Sequence, residues 1–188
     1  MLLAQPLLCM GLKMPSTYTL ISSNILTGSA ASVTFSAIPS TYTDLVLRMS
    51  VRTNRAAVVD RVKINLNGLT TGIYSVRNFY GDGSAAASNA DSAQTFTNYV
   101  YVNGDTSTSS TYSNTEMYLP NYLSATNKPL SIFGVSEENT STSAATYIGA
   151  SAHLVGTTST ISSIVLAPLT GTNFNSGSSF YLYGIKNS

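Results

Sequence analysis

Apolar residues recur at every second position through most of this chain. In TDLVLRMSV (43–51), Leu45, Leu47, Met49 and Val51 point one way, and Asp44, Arg48 and Ser50 the other. RVKINLN (61–67) repeats the pattern, with Val62, Ile64 and Leu66 inward and Arg61, Lys63 and Asn65 outward. A period of two is the mark of a half-buried strand, because successive side chains leave opposite faces of an extended backbone. The same reading predicts strands at TYTLISS (17–23), ASVTFSA (31–37), IYSVRNFY (73–80), FTNYVYV (96–102) and YSNTEMYLP (112–120). PLSIFGVS (129–136), ATYIGASAHLV (145–155), SIVLAP (163–168) and SSFYLYGIK (178–186) complete the set. Between them stand turn signals such as Asn67-Gly68, and two polar stretches, 81–95 and 103–111, read as long loops. Helical periodicity is missing, and Thr, Ser and Tyr are poor helix formers. The pattern predicts an all-β chain, an antiparallel β-sandwich that is jelly-roll-like, spanning residues 15–188 as one domain. PSTYT occurs at 15–19 and again at 39–43, and the pair reads as two equivalent strand starts.

The first fourteen residues, MLLAQPLLCMGLKM, break this alternation. Pro6 interrupts the apolar run, and neither a positive n-region nor a small-residue cleavage site frames it as a secretion signal. It is shorter than the ~20 apolar residues that cross a bilayer. The expectation is an N-terminal hydrophobic arm over 1–14, outside the β-domain and with no membrane role. An exposed apolar strip invites aggregation. Leu2, Leu3, Leu7, Leu8 and Met10 are therefore expected to be buried, against another chain or under their own sandwich.

Only 9% of the residues are charged and the net charge is +1. That removes the basic footprint on which nucleic-acid binding depends, so no nucleic-acid partner is expected. It also leaves little repulsion to keep copies apart, which suits a surface buried against other subunits. The single Cys9 cannot form an internal disulfide, and with one His in the chain zinc sites of the usual kinds are not expected.

Candidate chemistry is sparse. His153 sits in GASAHLVG, on the strand face opposite Ile148, Ala150, Ala152 and Leu154, and reads as exposed or hydrogen-bonded. Nothing resembles a positioned nucleophile with its base. Glu137 and Glu138 are adjacent and read as solvated loop charges, not as facing glycosidase carboxylates. Gly81-Asp82-Gly83 and Asn103-Gly104-Asp105 carry oxygen ligands but read as turns more readily than as calcium sites. The sequon at Asn139 is unremarkable in so Thr- and Ser-rich a chain. Arg48, Arg52 and Arg55, with Arg61 beyond them, suit an acidic partner surface. With Asp44 and Asp60 nearby, structural ion pairs are the plainer reading. Tyr181 and Tyr183 share one face of FYLYGIK opposite Phe180 and Leu182, as at a subunit contact or a sugar-stacking platform. No enzyme, cofactor or metal is expected.

The blocks IPSTYTDLVLRMSVRTN (38–54), INLNG (64–68), IYSVRNFYGDGS (73–84), EMYLPNYLSATNKPLSIFGVSEEN (116–139) and the ending SSFYLYGIK carry a likeness. Over residues 14–188 the chain resembles small all-β virion structural proteins of tailed bacteriophages, particularly those of cyanobacterial and other aquatic phages. The shared motifs are strand and turn signatures without chemistry, and no catalytic residue carries over. The resemblance implies a capsid decoration (cement) protein, made in the host cytoplasm and built into the virion. It further implies a homotrimer that contacts the major capsid protein or other virion proteins. The alternative it implies is a tail-fibre or appendage protein that touches host surface glycans.

Overall fold

The computed structural model describes residues 17–140 and 146–186. Leu2, Leu3, Leu7, Leu8, Met10 and Cys9 lie outside the described residues, as does the third position of the sequon. The described chain is all β-structure. Its twelve strands are β1 (Tyr18–Ile25), β2 (Val33–Phe35), β3 (Asp44–Ser50), β4 (Val59–Leu66), β5 (Tyr74–Gly81), β6 (Ala86–Gln94), β7 (Thr97–Asn103), β8 (Asn114–Leu119), β9 (Lys128–Ser136), β10 (Tyr147–Val155), β11 (Ile164–Pro168) and β12 (Ser179–Ile185). They form an eight-stranded sheet, β1-β12-β3-β8-β9-β10-β5-β6, and a four-stranded sheet, β2-β11-β4-β7. Every strand pairing is antiparallel. Buried residues of the two sheets pack as one hydrophobic core, which makes a β-sandwich.

The chain crosses between sheets at every connection except β5–β6, β8–β9 and β9–β10. Two excursions stay in the large sheet: β5–β6, between β4 and β7, and β9–β10, between β8 and β11. These excursions pair with each other through β10 and β5, and together they widen the large sheet beyond β8.

The alternation read from the sequence sets the core. Leu45, Leu47, Met49 and Val51 are buried, as are Val62, Ile64 and Leu66. Burying one such side chain stabilises the fold by about 1.5–3 kcal/mol. Phe180 and Leu182 of β12 face the core, while Tyr181 and Tyr183 face outward and are only partly covered. The two PSTYT segments flank the same residue: Tyr18 pairs with Ile185, and the Thr43 amide donates to the Ile185 carbonyl at 2.7 Å. Between them the Tyr42 ring lies against Gly184, where a Cβ would fall inside the ring's van der Waals surface.

The stretch 81–95 is not the loop expected. Its Ala86–Gln94 segment is the edge strand β6, paired with β5 from Gly81↔Ala86 to Tyr74↔Gln94. Both faces of β6 are open, so its Ala, Ser and Asn carry no alternation to read. Its hairpin closes on Asp82, whose Oδ1 accepts from the Ser84 and Ala85 amides at 2.9 and 2.7 Å. Gly83 takes the left-handed φ of +86° that the turn requires.

Candidate functional site

The candidate residues from the sequence separate into two places. Arg48, Tyr181 and Tyr183 share the outer face of the large sheet. Arg48 pairs in register with Tyr181 on one side and Glu116 on the other. Its Nε donates to Glu116 Oε2 at 2.7 Å, and its guanidinium carbon stands 5.4 Å from the Tyr18 ring centre and 5.9 Å from that of Tyr183. Tyr18 and Tyr183 meet edge to face at 6.3 Å. The result is an exposed ridge of one ion pair and several tyrosines. An exposed pair of this kind contributes about 0–1 kcal/mol, so the ridge is a surface feature rather than a strut.

Arg52 and Arg55 lie instead at one end of the sandwich, among loops. Arg52 is buried within the chain. Its Nη1 donates to the carbonyls of Thr108 (2.8 Å) and Thr111 (3.2 Å), and its Nη2 to those of Asp105 (2.9 Å) and Ser107 (2.8 Å). A planar fork with several fixed donors can satisfy converging carbonyls that an ammonium cannot. Arg52 thus staples the 104–111 loop to the β3 end. Arg55 donates to the Val59 carbonyl at 2.9 Å and stands 4.0 Å from Asp60 Oδ1. Asp60 is itself buried, and its carboxylate also accepts from Thr53 Oγ1 and the Gly171 amide. Among the described residues Arg55 stands at ion-pair distance from Asp60, one of the two acids the sequence placed near the arginines, whereas Arg48 pairs with Glu116 and Arg61 donates to Asn98.

Where the widened part of the large sheet meets β7, four tyrosines converge. Tyr101 stacks on Tyr147 at 4.7 Å, Tyr80 stands 5.5 Å from Tyr101, and Tyr99 stands 6.4 Å from it. The guanidinium of Arg61 lies 5.3 Å from the Tyr99 ring centre. Tyr99 adopts φ +61°, rare for a bulky residue, at an irregularity in the β4–β7 ladder. That irregularity aims its hydroxyl at Asp91 Oδ2, 2.8 Å away. Burial, and then the neighbouring Tyr80, push the Tyr101 hydroxyl pKa well above the ordinary tyrosine value. The sequence reading missed this cluster, because its members come from three strands that alternation alone does not bring together.

Of the two readings of His153, exposed or hydrogen-bonded, the structure shows the second: the side chain faces inward. It is 4% exposed, and its Nε2 lies 2.9 Å from Ser151 Oγ. Burial holds its pKa down to about 4. Its Nδ1 and both side-chain amide atoms of nearby Asn78 have no partner among the described atoms. The Ser–His contact has no carboxylate orienting the ring, and both residues face the core, so it lacks the parts of a nucleophilic dyad. Glu138 is likewise no solvated charge: it is buried, and its Oε2 accepts from the Thr108 amide at 3.0 Å. The Asp82 turn is closed by its own hydrogen bonds, the Asp105 carboxylate accepts from Asn175 Nδ2 at 3.3 Å, and no group of three or more metal-ligating side chains occurs among the described residues.

With His153 inward, the opposite face of its strand is the outer one. Ile148 and Leu154 of β10 are 54% and 44% exposed on the outer face. Phe133 and Phe79 join them, because both pair in register with Ala150. They form an apolar patch on the part of the large sheet contributed by β9, β10 and β5. Compared with family models, curated proteins and solved structures, the chain matches none.

Proposed function

We propose that this chain is a non-enzymatic virion structural protein of a tailed bacteriophage, most specifically a capsid decoration (cement) protein that acts as a homotrimer. The phage assignment rests on the resemblance of the sequence blocks given above. The strand order supports a jelly-roll reading. Strands β1-β12-β3-β8 face β2-β11-β4-β7, and the two hairpins are insertions that widen one sheet.

The observation that carries an assembling role is the β6 edge. Nine residues long and exposed along most of its length, β6 contains no Lys and no Pro. Solitary proteins usually protect such an edge, since its unpaired backbone groups template pairing with another chain. An edge of this kind, on a chain of net charge +1, fits a subunit that is covered by neighbours in its working state.

Shells from which the protein has been stripped provide the test. Adding it back is expected to raise the temperature at which the shells rupture, and light scattering of the free protein is expected to give a trimer mass. Unchanged rupture with a monomeric protein would contradict the proposal.

A second reading, an appendage that contacts host glycans, draws on the strained Tyr99 and its neighbours Tyr80, Tyr101 and Tyr147. Strained backbone concentrates at functional sites. Specific glycan binding that is lost in Tyr99→Ala would favour it.

A further inference from the structure

We propose that the β6 edge takes up an extended segment of a partner chain that carries a large apolar side chain beside Ser88 and a carboxylate beside Ala90. The inference rests on the assembling role of that edge and adds the chemistry of what pairs with it.

The ladder fixes where such a segment sits. β6 pairs with β5 alone, so the backbone groups that face away from β5 are open to another strand. Pairing with β5 is regular from Gly81↔Ala86 to Val76↔Asp91 and then shifts, and Ala93 turns to φ +53°. The even template is therefore residues 86–91. Alternate residues of a strand leave opposite faces. On the outer face Ala86, Ser88 and Ala90 stand beside Gly81, Phe79 and Arg77 of β5. On the inner face Ala87, Asn89 and Asp91 stand beside Tyr80, Asn78 and Val76.

The outer face supplies the two side-chain sites. Ser88 and Ala90 are small and exposed, so a side chain from a strand added to β6 passes over them toward β5. Neighbouring strands are ~4.8 Å apart, which places β5 ~10 Å from the added backbone, within the combined reach of a long side chain from each. Phe79 is 65% exposed, and a shallow depression of about 630 Å³ runs past it over Ser88, Ala90, Ala150 and Ala152. An aromatic or branched aliphatic side chain beside Ser88 fills part of this depression and takes the Phe79 ring out of water.

Two residues along β5, Arg77 is exposed, and no carboxylate lies within ion-pair distance of it among the described residues. Its Nη1 meets the Val76 carbonyl at 3.5 Å, the outer limit of a hydrogen bond. Asp91, next to Ala90 in sequence, turns to the inner face and accepts from the Tyr99 hydroxyl at 2.8 Å. A carboxylate beside Ala90 on the added strand gives Arg77 the fork-shaped partner it lacks. An antiparallel partner runs against β6, so its order along the chain is acid, small polar residue, apolar residue.

Three end-blocked hexapeptides test this against the full-length chain: Thr-Asp-Thr-Phe-Thr-Ser, the same with Lys for Asp, and the same with Ser for Phe. The first is expected to bind saturably and at least tenfold more tightly than either control, and to slow amide hydrogen exchange within 86–91. In Arg77→Glu the preference is expected to reverse, with the Lys peptide binding more tightly than the Asp peptide. Equal affinities for the three peptides, no saturation by about 1 mM, protection outside β6, or an unchanged preference in Arg77→Glu would each overturn the proposal. So would protection of β6 that grows with the protein's own concentration while the peptides stay unbound, since the occupant would then be a second copy of the chain. Stripped shells separate this inference from the role it rests on. Arg77→Glu is expected to reinforce them less than the unaltered chain. Equal reinforcement by the two would overturn the inference and leave the cement role standing, whereas peptide binding without reinforcement by either would remove the cement role and leave the site.

Discussion

Replacing Arg52 by Ala removes a guanidinium whose two terminal nitrogens donate to the carbonyls of Asp105, Ser107, Thr108 and Thr111 at 2.8 to 3.2 Å. A hydrogen bond to a charged group contributes roughly 1.5–3 kcal/mol, and a buried acceptor left without its donor costs about 1–3 kcal/mol. The terms do not add, because the 104–111 loop relaxes and water reaches part of it. A net loss of about 3–5 kcal/mol is the expectation for Arg52→Ala. For a domain of this size each kcal/mol shifts the melting temperature by about 2–4 °C, so Tm is expected to fall by roughly 6–20 °C. Arg52→Lys keeps the charge but presents one compact ammonium in place of a fork, and should lose about half as much. Far-UV circular dichroism during heating, with urea titration alongside, measures both variants. A fall of less than ~2 °C in Arg52→Ala would refute the staple. So would a variant that keeps full stability and loses only assembly, because that is the behaviour of an interface residue.

Acidification gives a second prediction. His153 has a folded pKa of about 4 against an ordinary 6.5, so between these values the unfolded chain binds a proton that the folded chain refuses. Its contribution is fully present above pH 6.5 and is lost as pH falls toward 4, by about 1.4 kcal/mol per unit and ~3 kcal/mol in all. Urea titrations across this range should show that slope, and His153→Gln should lack it; identical slopes in the two proteins would exclude the histidine. Gly184→Ala forces a methyl into the Tyr42 ring and should destabilise by about 1–3 kcal/mol, with Tyr42→Ala in the same chain recovering part of the loss. Full additivity of the two substitutions in a denaturant-based cycle would contradict the contact. Amide hydrogen exchange should be fastest in β6, an edge strand of small exposed residues, and slowest in β3 and β12 at the core. Protection in β6 equal to that in β3 would show the edge to be covered in the free protein.

Much of the sandwich was legible because burial on one face leaves a period of two in the chain. That held for Leu45, Leu47 and Met49, for Val62, Ile64 and Leu66, and for Phe180 and Leu182. It failed at β6, where both faces meet solvent and no alternation is required. It reversed in β10, where the inner face carries Ser151 and His153 and the outer face Ile148 and Leu154. Hydrophobicity alone assigns such a strand backwards, because Ser151 and His153 pair with each other inside while the apolar residues join Phe79 and Phe133 outside. The burial of Arg52 and of Glu138 was not legible for a related reason. Their partners are backbone groups of a loop distant in sequence, and no residue pattern records a carbonyl or an amide. The tyrosine cluster depended on the β10–β5 pairing between two insertions, which is a matter of topology and not of local pattern.

The proposed role makes this protein a repeated part of a phage shell. Its copy number and position in intact virions follow from that role, and quantitative mass spectrometry of purified particles, together with imaging of antibody-labelled ones, measures both. A decoration protein is expected in many copies, in fixed ratio to the major capsid protein and distributed over the capsid surface. A few copies per particle confined to the tail, or none in purified virions, would contradict it.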